Sequence, residues 1–172
     1  MPREIERKYL FNGKLSLDTN IVKRIDIEQG YISLPDDSLV LRVRRSVTQC
    51  TNYTRADGYL TIKRRDGGPG LFEREIDIEP DLAKEMLTNE CKSNIITKRR
   101  TVIEFGPRLK AEIDTFKDQL APIEWVEIEV PTEHYVFDLP AFCGKEITNA
   151  KGLSNFDMAW DPEKTKAIFN GL

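Results

Sequence analysis

Apolar and charged residues alternate through most of the chain, and this pattern predicts about eight β-strands. In the segment from Leu109 to Phe116, Ala111 and Ile113 are apolar and their neighbours Glu112 and Asp114 are acidic. Because successive side chains of a strand point to opposite faces, each strand has one mostly apolar face and one charged face. The predicted strands cover residues 3–10, 24–34, 39–47, 59–65, 71–79, 95–105, 109–116 and 123–130.

The segments between and after these strands predict helices and loops. Pro80 to Asn89 begins with proline and spaces its apolar residues for one helical stripe, so it is the clearest predicted helix. The polar stretch from Thr48 to Asp57 is predicted to be a long loop that ends at the turn dipeptide Asp57-Gly58. From Asp138 onward we expect short helices and coil, whose aromatic side chains cover the outer apolar side of the sheet.

The charged residues of the strands are sorted by sign. The acidic pairs Glu4/Glu6, Glu73/Glu75 and Glu127/Glu129 and the basic pairs Arg42/Arg44 and Lys98/Arg100 fall on separate strands. A sandwich with both charged faces outward is structurally ordinary, but it does not explain this sorting. A closed barrel with the charged face inward does, because a polyanion and neutralising cations would fill its interior. The predicted fold class is therefore mainly β (α+β), an eight-stranded antiparallel closed barrel with a few flanking helices.

The first strand already combines the chemistry of such an interior. Glu4, Glu6 and Lys8 share one face of the strand. Paired carboxylates suit a hard divalent cation, and the lysine could hold an anion that the metal also holds. The alternative interpretation of this stretch alone is an edge strand with a solvated polar face.

Composition narrows the class of protein. The 172 residues fit one domain spanning 1–172, and a net charge of −3 argues against a nucleic-acid binder with a uniformly basic surface. Cys50, Cys91 and Cys143 are widely spaced, so neither a disulfide framework nor a zinc site is indicated and a reducing cytoplasm is expected. His134 is the only histidine, which leaves little basis for a histidine-dependent triad. No apolar run approaches the roughly 18 residues of a membrane span, and no signal-peptide core is present, so a membrane or exported protein is not expected.

Glu4-Ile5-Glu6-Arg7-Lys8 resembles the ExExK signature of the CYTH superfamily, the triphosphate tunnel metalloenzymes. Further blocks are similar to those of the family and stand in the same order along essentially the whole chain. They are Gln29-Gly30-Tyr31, Leu41-Arg42-Val43-Arg44, Leu60-Thr61-Ile62-Lys63, Glu73-Arg74-Glu75, Lys98-Arg99-Arg100, Glu112-Ile113-Asp114-Thr115-Phe116, Glu127-Ile128-Glu129 and Gly144-Lys145-Glu146-Ile147-Thr148.

This resemblance implies an eight-stranded antiparallel tunnel that binds a triphosphate and carries out catalysis with Glu4, Glu6 and Lys8. The implied phosphate-binding residues are Lys8, Arg42, Arg44, Lys63, Lys98 and Arg100. The implied metal-binding acids are Glu4, Glu6, Asp114, Glu127 and Glu129, with Glu73 and Glu75 as further candidates. One Mg²⁺ or Mn²⁺ ion would bridge the protein and the triphosphate, and a second would orient and acidify the attacking water.

The sequence also departs from the family pattern. Members often carry arginine two residues before the ExE block, where this chain has Leu71. Many relatives follow the Glu-Ile-Thr block with an Asp-x-Arg-Tyr segment, which is replaced here by Asn149-Ala150-Lys151-Gly152-Leu153. At the first position, one phosphate contact of the family would be missing or supplied by Arg74 or Arg65. At the second, Lys145 or Lys151 could reach the tunnel mouth, although an ordinary surface lysine is the simpler interpretation of each.

The substrate is the remaining question, because one tunnel fold hosts both hydrolysis and cyclisation. Glu4-Ile5-Glu6-Arg7-Lys8-Tyr9-Leu10 looks more like the start of the bacterial triphosphatases than of the class IV adenylate cyclases. Our main hypothesis is metal-dependent hydrolysis of inorganic triphosphate, with nucleoside triphosphates as weaker substrates. The alternatives are an adenylate cyclase, a thiamine triphosphatase, and a module that binds polyphosphate or a nucleotide without turnover. A homodimer would be compatible with the family.

Overall fold

The computed structural model describes residues 5–49, 52–64, 73–132 and 134–172. Within these ranges the strands are β1 (Ile5–Phe11), β2 (Ile21–Tyr31), β3 (Leu39–Gln49), β4 (Thr54–Arg64), β5 (Glu73–Ile78), β6 (Ile96–Phe105), β7 (Leu109–Phe116), β8 (Glu124–Val130) and β9 (Cys143–Glu146). They form one antiparallel sheet in the order β5-β4-β3-β2-β6-β7-β8-β1-β9. The helices are α1 (Pro80–Asn89), α2 (Asn155–Trp160) and α3 (Pro162–Asn170), with a 3₁₀ turn at Asp118–Leu120.

The sheet is open, so the predicted eight-stranded closed barrel is wrong in both strand number and closure. Strands β5 and β9 form its two edges, and no hydrogen-bonded ladder joins them in the described part of the chain. The ninth strand arises in the segment that the sequence predicts as helix and coil. There, Glu146 pairs with Tyr9 and Cys143 pairs with Phe11. β9 therefore occupies the outer edge of β1, which a closed barrel of eight strands would need for pairing with β5.

The apolar side of the sheet is covered by α1 over β3 and β4. Val43 and Leu60 pack there against Ala83 and Leu87 of the helix. The helix has the bounds that the sequence predicts, but the predicted turn at Asp57-Gly58 is wrong because both residues lie inside β4. A Cβ atom at Gly58 would lie 2.7 Å from a backbone carbonyl oxygen and 3.0 Å from the Cβ of Ala83. Glycine at 58 thus allows the start of α1 to approach the strand closely, and does not form a turn.

The C-terminal helices take a different position from the one predicted. Phe142 packs on the apolar side as expected, but Met158 of α2 and Ile168 of α3 join a cluster with Phe116 and Trp125. Phe116 and Trp125 lie on the charged side of the sheet, where Asp114 pairs with Trp125 and Lys98 pairs with Phe116. α2 and α3 therefore cover one end of the charged side, because its strands carry apolar residues there. None of the helices in the described ranges is long and apolar enough to cross a membrane.

Candidate active site

The strand registers bring the predicted site residues to one side of the sheet, which we call the charged face. Arg100 lies opposite Asp114, Lys8 lies opposite Glu127, and Glu112 also lies opposite Glu127. The predicted residues on the charged face are Glu6, Lys8, Arg42, Arg44, Lys63, Glu73, Glu75, Lys98, Arg100, Asp114, Glu127 and Glu129. Glu4 and Leu71 lie outside the described residues.

A buried ion-pair network occupies the centre of the charged face. The carboxylate of Asp114 is fully buried and accepts hydrogen bonds of 2.7 Å from both Nε and Nη2 of Arg100 and one of 2.6 Å from Nζ of Lys98. Burial opposes ionisation of Asp114, but attraction by Arg100 and then Lys98 outweighs it and holds the pKa of this carboxyl well below its usual value. Burial lowers the pKa of Lys98, whereas the pKa of Arg100 is raised, since Asp114 outweighs the effect of burial there.

Lys8 lies beside this network, between three groups that attract a cation. Its Nζ is 3.0 Å from Oε1 of Glu127, 3.3 Å from the carbonyl oxygen of Leu153, and 4.0 Å from the ring centroid of Trp125. The ring face carries partial negative charge and therefore adds to the attraction. Oε2 of Glu127 accepts a hydrogen bond of 3.1 Å from Arg100, so one carboxylate connects the two cations.

Two arginines of β3 form a second basic group on the charged face. Nη2 of Arg44 donates to Oε2 of Glu75 at 2.9 Å, and Nη2 of Arg42 donates to the same oxygen at 3.3 Å. Thr61 is fully buried and lies between them, accepting from Arg42 and donating to Glu75 at 3.0 Å each. Burial, followed by repulsion from Arg42, lowers the pKa of Arg44. Positive charge is therefore in excess here, which suits an anion with several negative charges.

Each predicted phosphate-binding cation is paired with a carboxylate in this structure. The pairs are Lys8 with Glu127, Arg42 and Arg44 with Glu75, Lys63 with Glu73, and Lys98 and Arg100 with Asp114, and Arg100 also contacts Glu112 and Glu127. Such pairs hold the side chains in place. Those of Lys8, Arg42, Arg44 and Lys63 would have to separate for phosphate oxygens to replace the carboxylates, whereas Arg100 can keep its contact with buried Asp114 and exchange its contacts with Glu112 and Glu127 for phosphate.

Acidic side chains are also crowded at the β1 end of the charged face. Partial burial, followed by repulsion from Glu127 and, more weakly, from Glu112, raises the pKa of Glu6 to about 7. Burial also raises the pKa of Glu112, although Arg100 contacts its carboxylate and opposes the shift. A divalent cation would relieve this repulsion, so the donor set fits an oxygen-ligated metal. As they stand, no three acidic, cysteine or histidine side chains in the described ranges converge on one metal position.

Three residues of this site were missed by the sequence analysis. Glu112 lies two residues before Asp114 on the same strand face, and that spacing could have identified it. Thr61 lies two residues before Lys63 on β4, but a neutral hydroxyl gives no charge pattern. Asn155, which accepts a 3.1 Å hydrogen bond from Lys98, comes from α2 and has no local signal at all.

Comparison with known proteins identifies relatives that match almost the whole chain. The chain is 30% identical over 164 residues to an inorganic triphosphatase of Acetivibrio thermocellus, covering 95% of this chain and 97% of the relative. It is 30% identical over 159 residues to an inorganic triphosphatase of Nitrosomonas europaea, covering 91% and 96%. The chain belongs to the inorganic triphosphatase family. The predicted membership of the CYTH superfamily is thereby confirmed.

Solved structures with the same fold include an inorganic triphosphatase. The crystal structure of an inorganic triphosphatase matches with a TM-score of 0.66 and 27% identity, over 92% of this chain and 95% of that one. A Hippeastrum protein described as an adenylyl cyclase candidate with a dominant triphosphatase activity matches with a TM-score of 0.52 over 76% and 80% of the two chains. Its 15% identity bears on the fold alone. No family model matches the chain.

Proposed function

We propose that this protein hydrolyses inorganic triphosphate in a reaction that depends on Mg²⁺ or Mn²⁺. The observation that carries the proposal is that basic and acidic side chains from separate strands share one face of the sheet. The chain that forms this sheet belongs to the inorganic triphosphatase family. A linear triphosphate carries several negative charges along its length, and the separate basic groups on β3, β4, β6 and β1 match such a chain better than a single phosphate.

The cations at the surface of the charged face are the proposed phosphate ligands. They are Lys8, Arg42, Arg44, Lys63 and Arg100. Arginine can bind two phosphate oxygens with its planar guanidinium, whereas lysine acts as a point charge. The side chains of Arg42 and Arg44 are 14% and 22% exposed, so both can reach a ligand without unfolding of the strand.

The proposed metal ligands are the carboxylates at the β1 end of the charged face. Glu6, Glu127 and Glu129 would hold the ion, with Glu112 as an addition from the structure and Glu4 as a ligand predicted from the sequence. When bound, the metal would supply positive charge that offsets the carboxylates and the triphosphate and would make a water molecule more acidic. The pKa values of Glu6 and Glu112 are raised by burial and, for Glu6, then by repulsion from Glu127, and a bound cation would offset both effects, which supports this proposal.

The chain's own residues would then position the ion and the triphosphate. Glu6 and Glu4 would place the ion, and Lys8, released from Glu127, would neutralise charge on the terminal phosphate as the bond to the next phosphate breaks. Catalysis of this kind needs positioning and electrostatic stabilisation and no covalent intermediate with a side chain. The two free cysteines within the described residues, Cys91 and Cys143, have pKa values raised by burial to about 11 and about 12, consistent with inert thiols in a cytoplasmic protein.

The deciding experiment is a side-by-side assay of inorganic triphosphate, ATP and thiamine triphosphate with Mg²⁺ or Mn²⁺. We expect phosphate release to be fastest from inorganic triphosphate and to stop when EDTA is added. Cyclic AMP and pyrophosphate as the main products from ATP would identify a cyclase instead, and preferred hydrolysis of thiamine triphosphate would identify a thiamine triphosphatase. Binding of triphosphate without turnover of any of the three substrates would show that the protein is a binding module.

A further inference from the structure

A continuous chain of polar contacts, buried at its centre and half-buried at its ends, runs from helix α2 to Arg100. Oδ1 of Asn155 accepts a 3.1 Å hydrogen bond from Nζ of Lys98, and the same ammonium donates to Oδ2 of Asp114 at 2.6 Å. Both oxygens of Asp114 in turn accept from Arg100 at 2.7 Å. We call these four side chains the Arg100 relay.

The position of Lys98 within this relay argues against direct contact with phosphate. Its side chain is only 2% exposed, and its ammonium lies between Asp114, Asn155 and the ring of Phe116, whose centroid is 5.4 Å away. A phosphate could reach this ammonium only by displacing Asn155 or Asp114. Arg100 is the outermost member of the relay, with 14% of its side chain exposed and its guanidinium also turned toward Glu127.

We propose that Asn155 and Lys98 are positioning residues, which act through Asp114 to fix the guanidinium of Arg100 in the orientation that contacts triphosphate. The inference rests on the proposed function and deepens it, because it assigns Lys98 a role inside the protein and gives α2 a part in the site. A carboxylate that is held from one side by a buried ammonium can present its remaining lone pairs to a guanidinium in only one geometry.

The amide of Asn155 suits this role because it accepts a hydrogen bond without adding charge. Within the relay, Asp114 carries one negative charge and Lys98 and Arg100 carry two positive charges, so the relay has one net positive charge, which Glu112 and Glu127 contact from outside it through Arg100. An aspartate at position 155 would cancel it. An alanine there would leave a buried N–H of Lys98 without this acceptor, which allows the ammonium, and with it Asp114 and Arg100, to shift.

Helix α2 does not depend on Asn155 for its own formation. Ser154 caps the helix through a reciprocal pair of hydrogen bonds with Asp157, and the side chain of Asn94 donates to the carbonyl oxygen of Ala159 at 2.9 Å. Asn155→Ala should therefore leave the helix in place, and Ser154→Ala is the matched control, because it weakens the cap and leaves the contact with Lys98 intact.

The first test is a double-mutant cycle on the binding of imidotriphosphate, in which NH replaces the bridging oxygens, in the presence of Mg²⁺. We expect Asn155→Ala to raise Kd, and KM for triphosphate, about ten-fold in the wild-type background and less than about two-fold in an Arg100→Lys background. Asn155→Asp should raise KM at least as much while melting no lower than the wild type. Ser154→Ala should lower the melting temperature and leave KM unchanged. Equal effects of Asn155→Ala in both backgrounds, or the same rise in KM from Ser154→Ala, would overturn the proposal.

The second test needs no substrate and separates this inference from the proposed function. The Nε–H of Arg100 should exchange slowly with solvent in the ligand-free protein, because it donates to the buried Asp114, and nuclear magnetic resonance can follow that signal. We expect about ten-fold faster exchange in Asn155→Ala and wild-type exchange in Ser154→Ala. If the wild-type protein neither binds nor hydrolyses triphosphate but this difference is seen, the proposed function fails and the relay stands. Unchanged exchange in Asn155→Ala shows that the relay does not exist, whatever the substrate.

Discussion

At the scale of single residues, two neighbouring arginines of β3 provide a matched pair. Arg44 lies on the charged face with Glu75, and Arg45 lies on the opposite side with Glu28, 3.6 Å away. Both residues carry one positive charge, so replacing either one with alanine changes the net charge of the protein equally. They also lie next to each other on the same strand.

We predict that Arg44→Ala raises KM for triphosphate about 10- to 100-fold, since a hydrogen bond between charged groups contributes roughly 1.5–3 kcal/mol. Arg45→Ala should leave KM within about two-fold. Steady-state kinetics with inorganic triphosphate and Mg²⁺ measures both. Equal effects of the two variants would mean that general charge, and not the charged face, attracts the substrate.

Glu6 should make stability depend on pH in the metal-free protein. Its pKa of about 7 lies above the ordinary 4.5, so between these values the folded protein holds a proton that the unfolded chain has released. The contribution of Glu6 to the free energy of unfolding is therefore complete below about pH 4.5 and is lost as the pH rises through about 7. Glu6→Gln should remove this contribution and flatten the curve of melting temperature against pH. Glu163→Gln, an exposed site on α3, serves as the control for net charge. An unchanged slope in Glu6→Gln, or titration of Glu6 near 4.5, would contradict the prediction.

At the scale of secondary structure elements, the contact between α1 and β4 depends on one glycine. A Cβ atom at Gly58 would lie 2.7 Å from the carbonyl oxygen of Ile78 at the end of β5 and 3.0 Å from the Cβ of Ala83 in α1, so β5 and the start of α1 would have to move outward. We predict that Gly58→Ala lowers the free energy of unfolding by about 1–3 kcal/mol, as expected for overpacking, while folded molecules keep their activity. Denaturant unfolding measures the change. Gly171→Ala is the control, because its nearest atom would be 3.5 Å away, and a similar loss in both variants would remove the steric explanation.

The period of two along each strand was enough to predict which side chains share the charged face, and the registers agree for Arg100, Asp114 and Glu127. It could not predict how the sheet ends. The four residues of β9 are too short to show a pattern, and their pairing with β1 joins residues more than 130 positions apart. Nor does an apolar helical stripe tell which side of a sheet it will cover, so α2 and the contact of Asn155 with Lys98 could be found only in the structure.

At the scale of the whole molecule, the charged face lies on a sheet whose two edges are not joined in the described part of the chain, and each of its predicted phosphate-binding cations contacts a carboxylate. That residues 1–172 act as one domain stays a prediction.

The pairing of cations with carboxylates on the charged face affects how ligands bind. Triphosphate alone would separate Arg44 from Glu75 and leave a carboxylate facing phosphate, and a metal alone would leave Lys8 and Arg100 without Glu127. At Glu127, only the two ligands together replace the broken pairs, because phosphate binds Lys8 and Arg100 while the metal binds the carboxylate.

We therefore predict that imidotriphosphate and Mg²⁺ stabilise the protein together far more than either does alone. At a ligand concentration 100 times Kd, linkage gives about 2.7 kcal/mol of added stability, which thermal unfolding will show as a rise in melting temperature. Arg44→Ala should lose most of this rise at the same concentrations, whereas Arg45→Ala should keep it. If imidotriphosphate with EDTA produced the full rise, the carboxylates of the charged face would have no part in binding, and the metal-dependent mechanism would have to be abandoned in favour of a simple anion site.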